Sequence, residues 1–427
     1  MPQIKLNQNK KSFDFFFVNK IELIMTNDQK SIITATVPVL RESGVVLTTH
    51  FYKRMFTHHP DLKNMFNMGN QQSGKQQTAL ANAVLAYAEH IANPTVLLPE
   101  LNQIGHKHIS LDIRPEHYPI VGNHLLASIQ EVLGEAATPE ILDAWEAAYD
   151  QLANLMIGIE GDMYKSQTAK PNGWTGWRPF KVRKKVAESA EITSFHLYPA
   201  DGGKVVPHLP GQFISLKVFL PKLSLNQARQ YSLSNSPNED YYRISVKRET
   251  GQNLNTNGII SNHLHDFIEE ADMVNLTSPT GNFVLTEDLQ APIMLISGGV
   301  GLTPLMSMLH SLIENNHDHP ITWLHACRDQ KVHAFKQEME DILKSKPNIR
   351  QHIFYDALSE ADKEGGVVEG PLNLNKLDTL SHESDTHYFI CGPSGFIKKQ
   401  YGDLMEKGID KEVIFFEEFG PGLLELN

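Results

Sequence analysis

Cysteine is nearly missing from this chain. Only Cys327 and Cys391 occur in 427 residues, far apart and in no C-x-x-C pair. A thiolate zinc site is excluded, no disulfide framework is expected, and a reducing compartment, the cytoplasm, is the expected location. Basic charge is also in deficit. Against 38 Lys and Arg stand 50 Asp and Glu, giving a formal net charge of -12 and a pI near 5.9. A general nucleic-acid binder needs a basic face, so no nucleic-acid partner is expected. No run of about 18 uncharged apolar residues exists, and no membrane span is expected. Internal repeats and low-complexity tracts are lacking too.

The remaining composition is ordinary, with 41% hydrophobic and 21% charged residues. The length suits about three domains. Residues 1–24, MPQIKLNQNKKSFDFFFVNKIELI, join lysines to an apolar FDFFFV in superficial likeness to a signal peptide. Asp14, Lys20 and Glu22 break the apolar run and no small-residue cleavage site follows. This stretch is read as a disordered extension, or as an upstream start ahead of Met25.

Three patterns follow one another. Residues 25–164 carry helical periodicity, as in QTALANAVLAYAEHIAN (77–93), and Thr138 before Pro139 and Glu140 reads as a capped helix start. AKPNGWTGWRPF (169–180) breaks the helix, and residues 165–180 read as a linker. Alternation then appears in ITSFHLYP, GQFISLKVF and YRISVKRE, short strands that suggest a small barrel over 181–288. From 289 to 427, strands such as IMLIS, ITWLHAC and THYFICG alternate with helices, the mark of a parallel α/β sheet.

Four histidines, His106, His108, His117 and His124, crowd the stretch from Gln103 to Leu126. Leu101, Ile104, His108 and Leu111 share one helical stripe, so His108 alone is expected to face the core, with His106 beside Asn102, Gln103 and Ser110 on the polar face. A histidine on an apolar face is more often a hydrogen-bonded core residue than a ligand. Upstream, HFYKRMFTHHPDLKNMFNM (50–68) spaces Pro60 and Phe66 as a globin helix corner does.

On these motifs the chain resembles the bacterial flavohaemoglobins over nearly everything after Met25. The resemblance implies a multidomain protein: an all-α globin domain, an antiparallel β-barrel FAD domain and an α/β parallel-sheet NAD(P) domain. It places the proximal haem ligand on His108 and the haem-packing phenylalanine on Phe66. Tyr52, Gln76 and Leu80 match the residues lining the oxygen pocket, and Gln76, Leu80 and Val84 recur on one helix face. Tyr118 and Glu160 match residues that hydrogen-bond near the proximal histidine. Glu160 also lies on the stripe Tyr149, Ala153, Met156, so its carboxylate is expected to face inward. Lys107 matches a position implied to tune redox potential.

ARQYSLSNSP (228–237) holds Arg229, Gln230, Tyr231 and Ser232, the R-x-Y-S pattern of ferredoxin-reductase-like flavin domains. Arginine there can fork onto a pyrophosphate, tyrosine can stack on the ring, and Ser232 can bond its reactive nitrogen. PGQF (210–213) carries Phe213 where the family commonly has tyrosine, which keeps stacking and loses a hydroxyl. GIISNHLH (258–265) resembles the second phosphate element, with Gly258 permitting close approach and Ser261 expected to open a helix.

ISGGVGLTP (296–304) follows a strand, and Gly298, Gly299 and Gly301 are expected to leave room for a phosphate-bearing ligand. Thr303 and Pro304 read as the cap and first residue of a helix. Cys391, Gly392 and Pro393 match the family's element near the nicotinamide. Glu417, Glu418, Phe419, Gly420 and Pro421 match the element that packs on the flavin, with Glu418 where many members have cysteine.

The resemblance implies haem b, FAD and NAD(P)H as cofactors, and a monomer acting on nitric oxide and dioxygen as a nitric oxide dioxygenase that forms nitrate. Two other readings stand beside it: an oxygen carrier or sensor with a maintenance reductase, and a haem–flavin reductase of hydroperoxides or ferric iron. Arg328 beside Asp329 leaves the choice between NADH and NADPH open.

Overall fold

The computed structural model describes residues 25–251, 258–286, 289–358, 367–377 and 385–420. The extension expected at 1–24, and Pro421, lie outside them. The chain divides into two compact units, residues 1–166 and 167–427.

The first unit is helical. Its α-helices are α1 (Asn27–His58), α2 (Met68–Gln72), α3 (Lys75–Glu89), α4 (Leu98–Ser110), α5 (His117–Leu133) and α6 (Pro139–Ala169). Thr26 and Gln29 cap α1 reciprocally: Thr26 Oγ1 accepts from Gln29 N at 3.1 Å and Gln29 Oε1 from Thr26 N at 2.9 Å. A 3-10 turn, Pro60–Asn64, makes the corner before Phe66. The core gathers Phe51, Tyr52 and Met55 of α1 with Tyr87, Leu125, Ile129, Trp145 and Ala148. Each large side chain buried there contributes roughly 1.5–3 kcal/mol. A second cluster, Leu101, Leu155, Met156 and Ile159, joins α4 to α6.

Helix α1 bears on the expectation that no segment spans a membrane. Among the described residues it is long and apolar enough to cross a membrane by length and composition, with a mean hydropathy of 1.2 over its best window. Arg41 and Glu42 interrupt it, so no uncharged run marks it in the sequence. Its buried residues, among them Ile33, Leu47 and Met55, belong to the unit's own core.

The second unit opens with strands β1 (Arg178–Ala187), β2 (Ile192–Pro199), β3 (Phe213–Leu220), β4 (Leu225–Ser232) and β5 (Tyr242–Lys247), then α7 (Ile259–Phe267) and β6 (Met273–Leu276). They form an antiparallel sheet in the order β4-β3-β6-β1-β2-β5, and a bridge from Leu233 to Ile244 links its two edges. Helix α6 continues to Ala169 and β1 starts at Arg178, so ordered elements occupy both ends of the expected linker. The helix stops there because Lys170 precedes Pro171, and a residue before proline disfavours helical backbone.

Next come β7 (Ile293–Gly298), α8 (Leu302–Glu314), β8 (Ile321–Cys327), α9 (Lys336–Ser345), β9 (Ile349–Tyr355), β10 (Val368–Glu369), β11 (His387–Gly392), α10 (Ser394–Glu406) and β12 (Ile414–Glu418). Their parallel sheet runs β10-β9-β8-β7-β11-β12. Strand order therefore reverses between β7 and β11. In open parallel sheets the crevice beyond such a reversal is where ligands bind.

Candidate active site

In the helical unit, three elements converge on one carboxylate. Glu160 of α6 is 2% exposed. Its Oε1 lies 2.7 Å from His108 Nδ1 and accepts the Tyr118 hydroxyl at 2.6 Å. Tyr118 OH also stands 3.3 Å from His108 Nδ1. Tyr118 sits at the start of α5 and is held by the Tyr149 hydroxyl, which donates to the Tyr118 carbonyl at 2.5 Å. Burial and the adjacent Glu160 charge push the Tyr118 phenol far up, so it remains a donor. With Nδ1–H committed to Glu160, the lone pair of His108 is left on Nε2.

The expectation that His108 alone faces the core is corrected. Its side chain is 35% exposed, whereas His124 is buried and pairs its Nδ1 with Arg54. His124 lies on its own stripe with Leu125, Ser128 and Ile129 of α5. On α4, Ser110 is fully buried and burial lowers the His106 pKa to about 4, so the face read as polar packs inside. His117 accepts from Arg114 N at 2.9 Å through Nδ1. Among the described residues no group of three or more His, Cys, Asp or Glu could hold a metal ion. The four histidines do not form a cluster. A single imidazole braced by a buried carboxylate fits iron carried by a macrocycle, not a bare ion.

Tyr52 is buried in α1 and its hydroxyl is hydrogen-bonded with the Gln76 side chain, which reaches it from α3. Burial raises the Tyr52 pKa strongly, so the phenol keeps its proton. Phe66 meets Tyr52 edge-on with centroids 5.7 Å apart, and Phe56 stacks at 5.9 Å. Leu80 and Val84 flank the same core, and Lys107 is half-buried beside His108.

In the second unit Arg229 and Tyr231 face one side of β4, in register with Leu216 and Ile214, while Ser232 pairs with Phe213 and Gln230 is exposed. Arg229 is half-buried, and among the described residues no carboxylate forms an ion pair with it. Its Nη1 donates to Ala228 O at 2.6 Å. A desolvated guanidinium without an acid fits an anionic ligand, as a flavin pyrophosphate would be. Helix α7 begins at Ile259 with Gly258 as its cap, so Ser261 lies inside the first turn and does not open it; its Oγ accepts from Glu249 N at 3.2 Å.

The glycine turn also differs from expectation. Gly301, not Thr303, caps α8, which starts at Leu302; Thr303 and Pro304 follow within the first turn. A Cβ on Gly301 would lie 2.2 Å from Cys391 O, and Cβ atoms on Gly298 and Gly392 would crowd Phe396. Close packing of β7 against β11 thus uses Gly298, Gly301 and Gly392. Only Gly299 opens onto empty space, with φ +55. Cys391 is buried between β7 and β12, and Pro393 is exposed. Glu417 pairs with Cys391 in the sheet, Glu418 accepts from Ser394, and Phe419 and Gly420 are exposed.

Sequence reading passed over His208, Ser307 and Glu191, each of which bridges the barrel and the parallel sheet. HLPGQF sets His208 just ahead of the flavin motif, the one local sign available.

The globin family matches residues 49–156, and the oxidoreductase NAD-binding domain family matches residues 295–401. A flavohemoprotein of Bordetella parapertussis is 47% identical over 402 residues, covering 93% of this chain and 99% of that protein. A crystal structure of flavohemoglobin from Malassezia yamatoensis, with bound FAD and heme, superposes with a TM-score of 0.81 at 26% identity, covering 92% of this chain and 99% of that one. The FAD/NAD-binding domain of a Vibrio cholerae nitric oxide dioxygenase matches at 40% identity and a TM-score of 0.53, covering 57% of this chain and 99% of that one. By sequence and by fold, the chain belongs to the flavohemoprotein family of oxidoreductases.

Proposed function

We propose that this protein is a nitric oxide dioxygenase, passing electrons from NAD(P)H through FAD to haem and converting nitric oxide and dioxygen to nitrate. When bound, the dinucleotide supplies hydride, the flavin parts the electron pair, and the haem iron binds the gas.

The carrying observation is the His108–Glu160–Tyr118 arrangement. Glu160 draws the Nδ1 proton of His108, which makes Nε2 a stronger donor to iron. A stronger donor favours breaking the dioxygen bond over storing the gas. That supports catalysis above carriage. On α1 and α3, Tyr52 would be the proton-bearing donor toward bound gas, oriented by Gln76, with Phe66 and Leu80 as apolar walls. Lys107 adds positive charge beside the ligand.

Arg229 holds the flavin pyrophosphate, Tyr231 and Phe213 pack against the ring, and Ser232, with Gln230 beside it, completes the strand edge. Gly258 and Ser261 form the second phosphate contact. Gly299 leaves space for the dinucleotide phosphates, and Gly301, Thr303 and Pro304 place α8 behind them. Cys391, Gly392 and Pro393 would bound the nicotinamide, while Glu417 to Gly420 would cover the flavin.

The test is spectroscopic and chemical. The purified protein should show a Soret band with a flavin shoulder, and NADH should reduce both. Rapid mixing of the reduced, oxygen-equilibrated protein with nitric oxide should yield stoichiometric nitrate. Slow nitrate formation would favour an oxygen carrier.

A further inference from the structure

The stretch assigned to the flavin does not end at Ser232. It continues to Asn235, where it meets the nucleotide half of the same unit. Asn235 O accepts from Ser307 Oγ at 2.7 Å and also lies 3.2 Å from His208 Nε2, which stands 2.9 Å from Ser307 Oγ. Ser307 stands in the second turn of α8, the helix that opens at the glycine turn. All three residues are buried.

Donor arithmetic fixes the direction of these bonds. Ser307 has one hydroxyl proton and gives it to the Asn235 carbonyl. His208 Nε2 faces both that carbonyl, which can only accept, and the Ser307 oxygen, so the ring must carry its proton on Nε2. His208 Nδ1 is left as a buried acceptor with no partner among the described residues. An apolar side chain would avoid that cost, so the imidazole needs a reason to be there. Beside it Gly211, at φ +102, packs so close to the Phe283 backbone that a Cβ would lie 2.1 Å from Phe283 O, with Met308 Cε of α8 at 2.6 Å. Other side-chain ties across this seam are less buried, among them Arg243 reaching Glu338 at 3.4 Å, Ser236 bonding Glu314, and Arg328 paired with Glu191.

We propose that His208 and Ser307 are positioning residues: their relay fixes the glycine turn at 298–301 against the flavin strand at 229–232, setting the distance over which hydride passes. The proposal rests on the reading that this unit reduces a flavin with a nicotinamide dinucleotide. Neither side chain takes part in the transfer itself. Because burial holds the His208 pKa down at about 3, its N–H direction persists across the working pH range.

The experiment uses the full chain carrying haem and FAD. Anaerobic stopped-flow with NADH reads flavin bleaching, and dinucleotide affinity is read separately by titration with NAD+. Ser307→Ala and His208→Leu should each slow flavin reduction about tenfold, since small misplacements of reacting groups are costly. Flavin content and NAD+ affinity should stay within about twofold. His208→Gln, which keeps an N–H donor, should restore most of the rate. Amide exchange over residues 298–306 should speed up in Ser307→Ala even without dinucleotide. Should His208→Leu fail to take up flavin, Ser307→Ala alone decides. Unchanged bleaching and exchange in Ser307→Ala would overturn the relay while leaving the function standing. Failure of the unaltered protein to bleach with any dinucleotide would overturn the function, and the relay with it.

Discussion

His108 Nδ1 and Glu160 Oε1 lie 2.7 Å apart although 52 positions separate them in sequence. The contact exists because α4 and α6 pack through Leu101, Leu155, Met156 and Ile159, which puts ring and carboxylate at the edge of one apolar cluster. Removing the charge while keeping the shape isolates its role. In Glu160→Gln, haem should still bind, the iron potential should rise, and nitric oxide consumption should fall about ten- to a hundredfold, the range for partners of a ligating histidine. His108→Ala should abolish haem incorporation; a normal Soret band in that variant would sink the ligand assignment.

Arg229 is expected to matter through charge. Losing a charge-assisted fork costs about 1.5–3 kcal/mol, so Arg229→Ala should weaken FAD binding by roughly ten- to a hundredfold and leave haem untouched. Arg229→Lys should recover only part, because an ammonium cannot present the planar fork. Flavin retention on gel filtration reads both.

The end of β8 bears on the choice of dinucleotide. Arg328 is 64% exposed and its guanidinium is engaged by Glu191. Burial first, then Asp329, Asp356 and Glu191, push the neighbouring Cys327 thiol up to about 12. Carboxylates thus dominate this corner, which should repel a 2′-phosphate. Glu191→Gln should therefore strengthen binding of 2′,5′-ADP by about tenfold relative to 5′-AMP, as measured by calorimetry; an unchanged ratio would place the 2′ position elsewhere.

Gly301 and Gly299 provide a paired stability test. A Cβ on Gly301 meets backbone that cannot move aside, so Gly301→Ala should lower stability by about 1–3 kcal/mol or more, as overpacking does. Gly299→Ala meets open space and suffers only the left-handed backbone, about 1–2 kcal/mol. Thermal melts of the two variants should rank in that order.

His208 gives a pH signature. Its folded pKa, about 3, lies below its ordinary value of 6.5. The unfolded chain therefore binds the proton more readily, and stability is lost as pH falls through 6.5 toward 3. At pH 5.5 the loss from this group alone is on the order of 1 kcal/mol. Denaturant midpoints at pH 7.5 and 5.5 should differ less in His208→Gln.

Much of this was legible in residue order. The stripe Tyr149, Ala153, Met156, Glu160 sent the carboxylate inward, and β4 alternation set Arg229 and Tyr231 on one face. What escaped was non-local. His124 reads as a minor helix residue until α1 brings Arg54 against it. Gly301 reads as room for phosphate until β11 fills that room with Cys391 O. Glu191 and Arg328 stand 137 positions apart, and no period in the sequence links them. Two helix starts slipped by two residues because Gly258 and Gly301 cap without offering a side chain.

Cys391 is sealed between neighbouring strands and Cys327 is half-covered, and burial raises both thiols. Only the thiolate reacts readily with oxidants and alkylating agents. A catalyst that turns over nitric oxide and oxygen in its own interior would thus offer those gases almost no nucleophilic sulfur, sparing itself S-nitrosation while it works.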